Sequence, residues 1–391
     1  MAHTEDQYLL TVNAGSSSLK INIFKVTTDL GLVLNGSIQH IGSDDCLFLV
    51  TAEKGQVLKN TSAHCNSLAE AARLFTQWIL SDKVPVNAIG YRIVQGGAAH
   101  RRPERIDAAF LEYLGSIQSL ASTHIPDELE VIRIFMETFP EIRHIACFDT
   151  FFHSSMPAYA KYYPLPRALR AEGVQKYGFH GLSYEYVMYH LQQEHADEAN
   201  GKIIIAHLGN GASLAAVHQG RSVDTTMGMT PIGGLMMGTR CGDIDPGVLL
   251  YLLQQKQLSP SELDHLLSHE SGLKGVSGMS ADMETLLKLE PEHLPVAEAL
   301  ELFCYSIRKM TGAMAAALNG IDTLVFTGGI GEHAAVIRSR VCDGLQYLGI
   351  KIDAQHNRSS MLISSAASTV KVRVIKTDEA FMIAHHMLRF S

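Results

Sequence analysis

The chain has 391 residues, 46% of them hydrophobic and 18% charged, with a formal net charge of −8. Such a length is large for one hydrophobic core and predicts two domains or three, and the composition excludes a disordered chain, which needs low hydrophobicity and high net charge. No block of Lys and Arg supports nucleic-acid binding, no apolar run of about 18 residues offers a membrane span, and MAHTEDQYLL is not a secretory signal, because it lacks a basic segment followed by a long apolar one.

Residues 8–13 and 21–25 read as strands joined by a tight Gly/Ser turn. Residues 67–79 and 128–136 carry apolar positions at helical spacing, and 142–148 is a short apolar run of strand type. Residues 202–208 and 214–218 form another strand pair. A long Ala- and Met-rich helix is predicted over 296–319, with Pro295 just before it, where a helix start tolerates proline, and a buried strand over 323–327 follows. Alternation of this kind predicts an α/β fold. Cys46, Cys65, Cys147, Cys241, Cys304 and Cys342 are scattered without a CxxC pair, as expected of free, buried thiols in a reducing cytoplasm.

VNAGSSSLKINIF and HLGNGASLAAVHQG share a plan of strand, small-residue turn and strand, and aligning Ser18 with Ser213 sets an offset of 195 residues, about half the chain. Two halves that each open with such a hairpin suggest duplication. Glycines let a backbone approach a phosphate closely, and consecutive turn amides with Ser hydroxyls make an anion-binding concavity. The turn over 13–20, the loop over 207–213 and FTGGIGEHA over 326–334 all have this character. The third sits between a strand and a helical pattern, which aims amides and a positive dipole at an anion. No GxxxxGK[ST] and no strand followed by GxGxxG occurs, so neither a Walker loop nor a dinucleotide fold is supported. Each turn, taken alone, also reads as an ordinary tight turn.

Phosphoryl transfer needs cations around the equatorial oxygens and a metal to neutralise developing charge. Arg92 in GYRIVQGG and Arg240 in LMMGTRCGDIDPG lie beside glycines, where they reach a ligand or remain solvated. Asp149 follows an apolar strand, a position suited to holding Mg²⁺ or to capping a helix. His180 in KYGFHG donates to a phosphate or fills a core hydrogen bond.

Taken together, VNAGSSSLK, FDTFFHSSMP, KYGFHG, HLGNGAS, MMGTRCGDIDPG, VFTGGIGE and VIKTDEAFMIA resemble the acetate and propionate kinase family, in family order from Val12 to Ala384. The resemblance implies two duplicated domains of the actin and sugar-kinase type with catalysis in the cleft between them, residues 1–149 with 381–391 forming one and 150–380 the other. It implies ATP or ADP with Mg²⁺ (Mn²⁺ as an alternative), a short-chain carboxylate and a homodimer. Carried over by position, Arg92, Asp149, His180 and Arg240 would be catalytic. Arg92, Val94, Thr123, His124, Phe179 and Pro231 would meet the acid. Asn13, Ser16, Ser18, Lys20, His207, Gly209, Asn210, Gly211, Asp282, Met283, Glu284, Gly328, Gly329, Ile330 and Gly331 would meet the nucleotide. Asn13 and Glu379 would hold the metal. Departures from the pattern are Tyr91, Gln95, Ala98, Thr123, Leu182, Tyr184 and Glu284. An actin- or chaperone-like ATPase and a non-catalytic nucleotide-binding relative are the competing readings.

Overall fold

The computed structural model describes residues 7–15, 17–100, 102–122 and 124–390. It divides into two compact units, one running to Phe151 and resuming at Asp378, the other spanning Phe152–Thr377.

The first unit is built on an eight-stranded sheet of β1 (Gln7–Ala14), β2 (Ser18–Val26), β3 (Leu30–Gln39), β4 (Leu47–Ala52), β5 (Val57–Ser62), β6 (Ala88–Ile93), β7 (Glu104–Arg105) and β8 (Arg143–Phe148), ordered β5-β4-β3-β2-β1-β6-β8-β7. β1 and β2 form the expected antiparallel hairpin, and Asn13 faces Lys20 in register. β6 and β8 then add in parallel. Parallel neighbours need crossovers, which the helices Leu68–Ser81 and Ile125–Thr138 supply. Ser67 caps the first of these by accepting from the Glu70 amide.

The second unit has a five-stranded sheet of β9 (Lys202–Leu208), β10 (Ala212–His218), β11 (Arg221–Thr225), β12 (Thr323–Thr327) and β13 (Lys371–Val374), ordered β11-β10-β9-β12-β13. Two antiparallel neighbours on one side of β9 and two parallel strands on the other repeat β3-β2-β1-β6-β8 in order and direction. The repeated small-residue hairpins therefore reflect duplicated folds. Helix Gly181–Glu194 packs Tyr184, Val187, Met188 and Leu191 onto Ile203, Ile205, Ala215 and Val217.

Helix Leu294–Ala317 begins two residues earlier than the sequence predicts, with Pro295 inside its first turn, where a missing N–H costs nothing. It also ends earlier, because Asn319 and Gly320 adopt φ of 54° and 119°. All six cysteines are free; five are buried and Cys241 is half-buried. Among the described residues no helix is long and apolar enough to cross a membrane.

Candidate active site

In the first unit the site residues gather where β1, β6 and β8 end. Arg92, next to last in β6, donates from Nε and Nη2 to the Asp149 carboxylate at 2.6–3.2 Å. Its Nη1 donates to Asn13 Oδ1 at 3.2 Å, and Asn13 Nδ2 donates to Glu379 Oε2 at 3.0 Å. Glu379 opens the C-terminal helix Glu379–Met387, which belongs to this unit. Burial opposes the Arg92 charge, but the Asp149 and Glu379 carboxylates outweigh it and hold the guanidinium firmly protonated. Asp149 is fully buried, so the pair is a desolvated, bidentate one that fixes the guanidinium plane.

The structure adds a carboxyl to this cluster that the sequence did not single out. Glu128 Oε1 accepts from the Val94 amide at 3.0 Å, while the buried Oε2 has no hydrogen-bond partner. Burial pushes its pKa up to about 8, against the lowering effects of the Val94 N–H and the Arg92 charge. A raised carboxyl pKa means that the fold favours the protonated form. That stability is present below the ordinary value of 4.5 and is lost as pH rises through about 8. Glu128→Gln is therefore expected to gain on the parent protein between pH ~5 and pH ~8, by roughly 1.4 kcal/mol per pH unit at most. Thermal melts at the two pH values check this, and a constant difference would show an ordinary, ionised Glu128.

Val94 is buried beside this carboxyl, and His124 stands just before helix Ile125–Thr138, its carbonyl accepting from the Glu128 amide. Ser18 and Lys20 lie on β2, Lys20 exposed; Ser16 and Thr123 fall outside the described residues.

In the second unit His180 adopts φ 58° immediately before helix Gly181–Glu194, and its ring stacks on His207 with centroids 4.2 Å apart. Arg240 Nη1 donates to the Pro231 carbonyl at 3.1 Å and lies 3.8 Å from Met237 Sδ. These groups meet at Gly211, where a Cβ would stand 3.1 Å from His180 Nε2 and 3.5 Å from Arg240 Nη1. A Cβ there would crowd the imidazole and lie in contact with the guanidinium, so glycine leaves both groups room at this loop. Phe179 is buried, and its carbonyl accepts from His153.

The same loop opens onto a cavity of about 620 Å³. Of the residues expected at the nucleotide, the cavity wall includes Gly209, Asn210, Asp282, Met283, Glu284, Gly329 and Ile330. Gly328, Gly331, Gly211 and His207 support the loops from outside that wall. Gly328 has φ 77° and its Cβ would sit 2.7 Å from the Leu208 carbonyl, a turn only glycine makes. The buried Arg338 donates to the Gly331 and Glu332 carbonyls and to Asn357, which pins the turn. His333 and Ala334, at the end of FTGGIGEHA, also line the cavity, and the apolar Ala281 and Leu287 complete it without any polar signature that would have marked them in the sequence.

A model of the acetokinase family matches residues 8–385. The chain belongs to the acetokinase family. It is 41% identical to an acetate kinase of Rhodopseudomonas palustris, over 98% of each chain, and 39% identical to one of Clostridium botulinum, over 96% of this chain and 97% of that one. A propionate kinase structure from Francisella tularensis superposes with a TM-score of 0.90 at 34% identity, covering 97% of this chain and 98% of its own. An acetate kinase structure from Porphyromonas gingivalis gives 0.86 at 33%, covering 98% and 99%.

Membership makes the chain a kinase; the chaperone-like and non-catalytic readings are not favoured. Three departures from the acetokinase pattern prove structural. Tyr91 is buried and bonds His144 Nδ1 at 2.7 Å, Gln95 Oε1 accepts from the Gly97 amide, and Leu182 is core. Glu284 pairs with Lys288 at 2.6 Å on the rim of the cavity.

Proposed function

We propose that the chain transfers the γ-phosphoryl group of ATP reversibly to the carboxylate of a short acid, acetate or propionate, giving the acyl phosphate and ADP. The observation that carries this reading is the pair of anion-stabilising groups, His180 Nε2 and Arg240 Nη1, flanking Gly211 on the loop that also lines the 620 Å³ cavity. ATP is assigned to that cavity, with its phosphates at Gly209–Gly211 and its base and ribose towards Asp282, Met283, Glu284, Gly329 and Ile330.

We assign Arg240 and His180 to the transferring phosphoryl group, in which charge spreads over three equatorial oxygens as the acid oxygen attacks in line, and infer that Arg92 serves the same reaction. The acceptor is already ionised at neutral pH, so no general base is needed. Asp149 and Asn13 hold the Arg92 plane, and we assign Val94, Thr123, His124, Phe179 and Pro231 to recognition of the acid.

The local charge in the first unit is one guanidinium against the carboxylates of Asp149 and Glu379. That excess of acid repels a bare phosphate and suits a hard cation bound partly through phosphate oxygens, as Mg²⁺ is. Asn13 and Glu379 offer oxygen donors of this kind, and among the described residues no group of His, Cys, Asp and Glu forms a self-sufficient cage. When bound, Mg²⁺ (or Mn²⁺) would neutralise charge on the phosphate oxygens.

A second copy of the chain is the partner we propose. Helix Pro246–Gln254 buries none of its residues, and Val248, Leu250, Tyr251, Leu302 and Tyr305 are 44–55% exposed. Sedimentation that shows only monomer would remove this assignment. We infer that the reaction is cytoplasmic, a reading supported by the nucleotide co-substrate and by cysteines outside any disulfide.

Trapping acyl phosphate with hydroxylamine, across formate, acetate, propionate and butyrate with ATP or GTP as donor, tests the function. Hydroxamate formation that requires both acid and nucleotide, highest with acetate or propionate, is expected. ATP turnover indifferent to the acid would sink the reading.

A further inference from the structure

Behind His180 runs a chain of hydroxyls. His180 Nδ1 lies 2.9 Å from Ser213 Oγ, and Ser213 Oγ lies 2.5 Å from the Tyr184 hydroxyl. Ser213 and Tyr184 are fully buried and His180 is 8% exposed. The fold accounts for the grouping. Tyr184 is one helical turn beyond His180, its amide donating to the His180 carbonyl at 3.1 Å. Ser213 sits on β10 opposite His207 in register. The His207 ring covers one face of the His180 ring and is itself held by Ser183, whose Oγ is 2.8 Å from His207 Nδ1. His180 is thus gripped by its face and by its Nδ1 edge.

The hydrogens can be placed from donor chemistry. A phenol is a far stronger acid than an alkanol, so Tyr184 donates and the Ser213 oxygen accepts. Ser213 has a single hydrogen, which then goes to His180 Nδ1. A neutral imidazole that accepts at Nδ1 carries its proton on Nε2, the nitrogen nearest Gly211 and Arg240.

We propose that Tyr184 and Ser213 are positioning residues whose relay fixes His180 as the Nε2–H tautomer, so that it presents a donor, beside Arg240, to the transferring phosphoryl group. The proposal rests on the phosphoryl-transfer reading above and extends it to how the donor is kept in place. The opposite tautomer would turn a lone pair towards an anion. A donor fixed beforehand needs no reorganisation at the moment of transfer, which is where such groups gain their effect. The relay also gives a role to Tyr184, one of the departures from the acetokinase pattern.

The test is ¹⁵N NMR of protein labelled at the histidine ring nitrogens, with His180 assigned by its loss in His180→Gln, alongside steady-state kinetics. The unmodified protein is expected to show a pyridine-like Nδ1 and a pyrrole-like Nε2 at His180. Ser213→Ala should collapse this towards tautomer-averaged signals and lower kcat by about 10²-fold, and Tyr184→Phe should lower it about tenfold, with nucleotide KM changed by less than about twofold. Ser213→Thr, which restores a hydroxyl, should recover most of the loss. A proton on Nδ1 in the unmodified protein, alone or as imidazolium, overturns the relay. So does an unaltered His180 spectrum with unaltered kcat in Tyr184→Phe, a variant that removes one oxygen and keeps the packing if Ser213→Ala fails to fold. The spectrum needs no turnover. An ordered Nε2–H without acyl phosphate formation would leave the relay and remove the kinase reading, and the reverse result would do the opposite.

Discussion

Arg92→Ala is expected to lower kcat by about 10²–10³-fold or more, the loss associated with a missing transition-state donor, and to destabilise the first unit as well. The two effects have separate causes. The catalytic loss comes from removing a guanidinium whose plane is fixed by three hydrogen bonds to Asp149 and one to Asn13. The stability loss comes from Asp149, which is fully buried and would lose its bidentate guanidinium partner. Breaking a buried pair from one side costs about 3–5 kcal/mol. Arg92→Lys separates them: it keeps the charge beside Asp149 but cannot reproduce the two-pronged geometry. Its thermal midpoint should stay closer to that of the parent than Arg92→Ala does, while kcat remains depressed by at least about tenfold. Rates measured together with melting curves check both parts. Near-native turnover in either variant would remove Arg92 from the reaction.

The duplication and the parts of the site carried by short motifs were legible in the sequence, because each depends on residues close together in the chain. The hairpin of β1 and β2 and the glycine turn after β12 are local choices of small residues with a local physical reason. What was hidden depends on pairing across long separations. Arg92 and Asp149 are 57 residues apart, and Asn13 and Glu379 are 366 apart, so the contacts between them emerge only where the sheet brings them together. Glu128 was invisible for another reason. It sits in IPDELE, which reads as the solvated, acidic first turn of a helix, and only the approach of the Val94 amide, 34 residues away, shows it to be buried. Ser213 was read as one more small residue of a phosphate loop, yet its hydroxyl faces Tyr184 and His180. Strands β3, β4 and β5 had no distinct signal because much of their surface is half-buried or exposed, leaving a mixed pattern.

Arg240→Ala should match Arg92→Ala in rate. Arg240 donates to the Pro231 carbonyl and lies 3.8 Å from the Met237 sulfur, and its Nη1 would stand 3.5 Å from a Cβ at Gly211. The expected outcome is a kcat lower by about 10²–10³-fold or more, measured well below the melting transition of the variant. Because Arg240 Nη1 and His180 Nε2 both lie within 3.5 Å of where a Gly211 Cβ would stand, the two side chains should act as a unit rather than independently. Arg240→Ala combined with His180→Gln is then expected to lose less rate than the product of the single losses. Guanidinium ion added to Arg240→Ala should restore part of the rate, since the deleted group leaves a space beside Gly211 of the right size and charge preference. Full additivity in the double variant, together with no recovery by guanidinium, would mean that Arg240 acts away from the phosphoryl group, and the assignment of both residues to one reacting centre would fall.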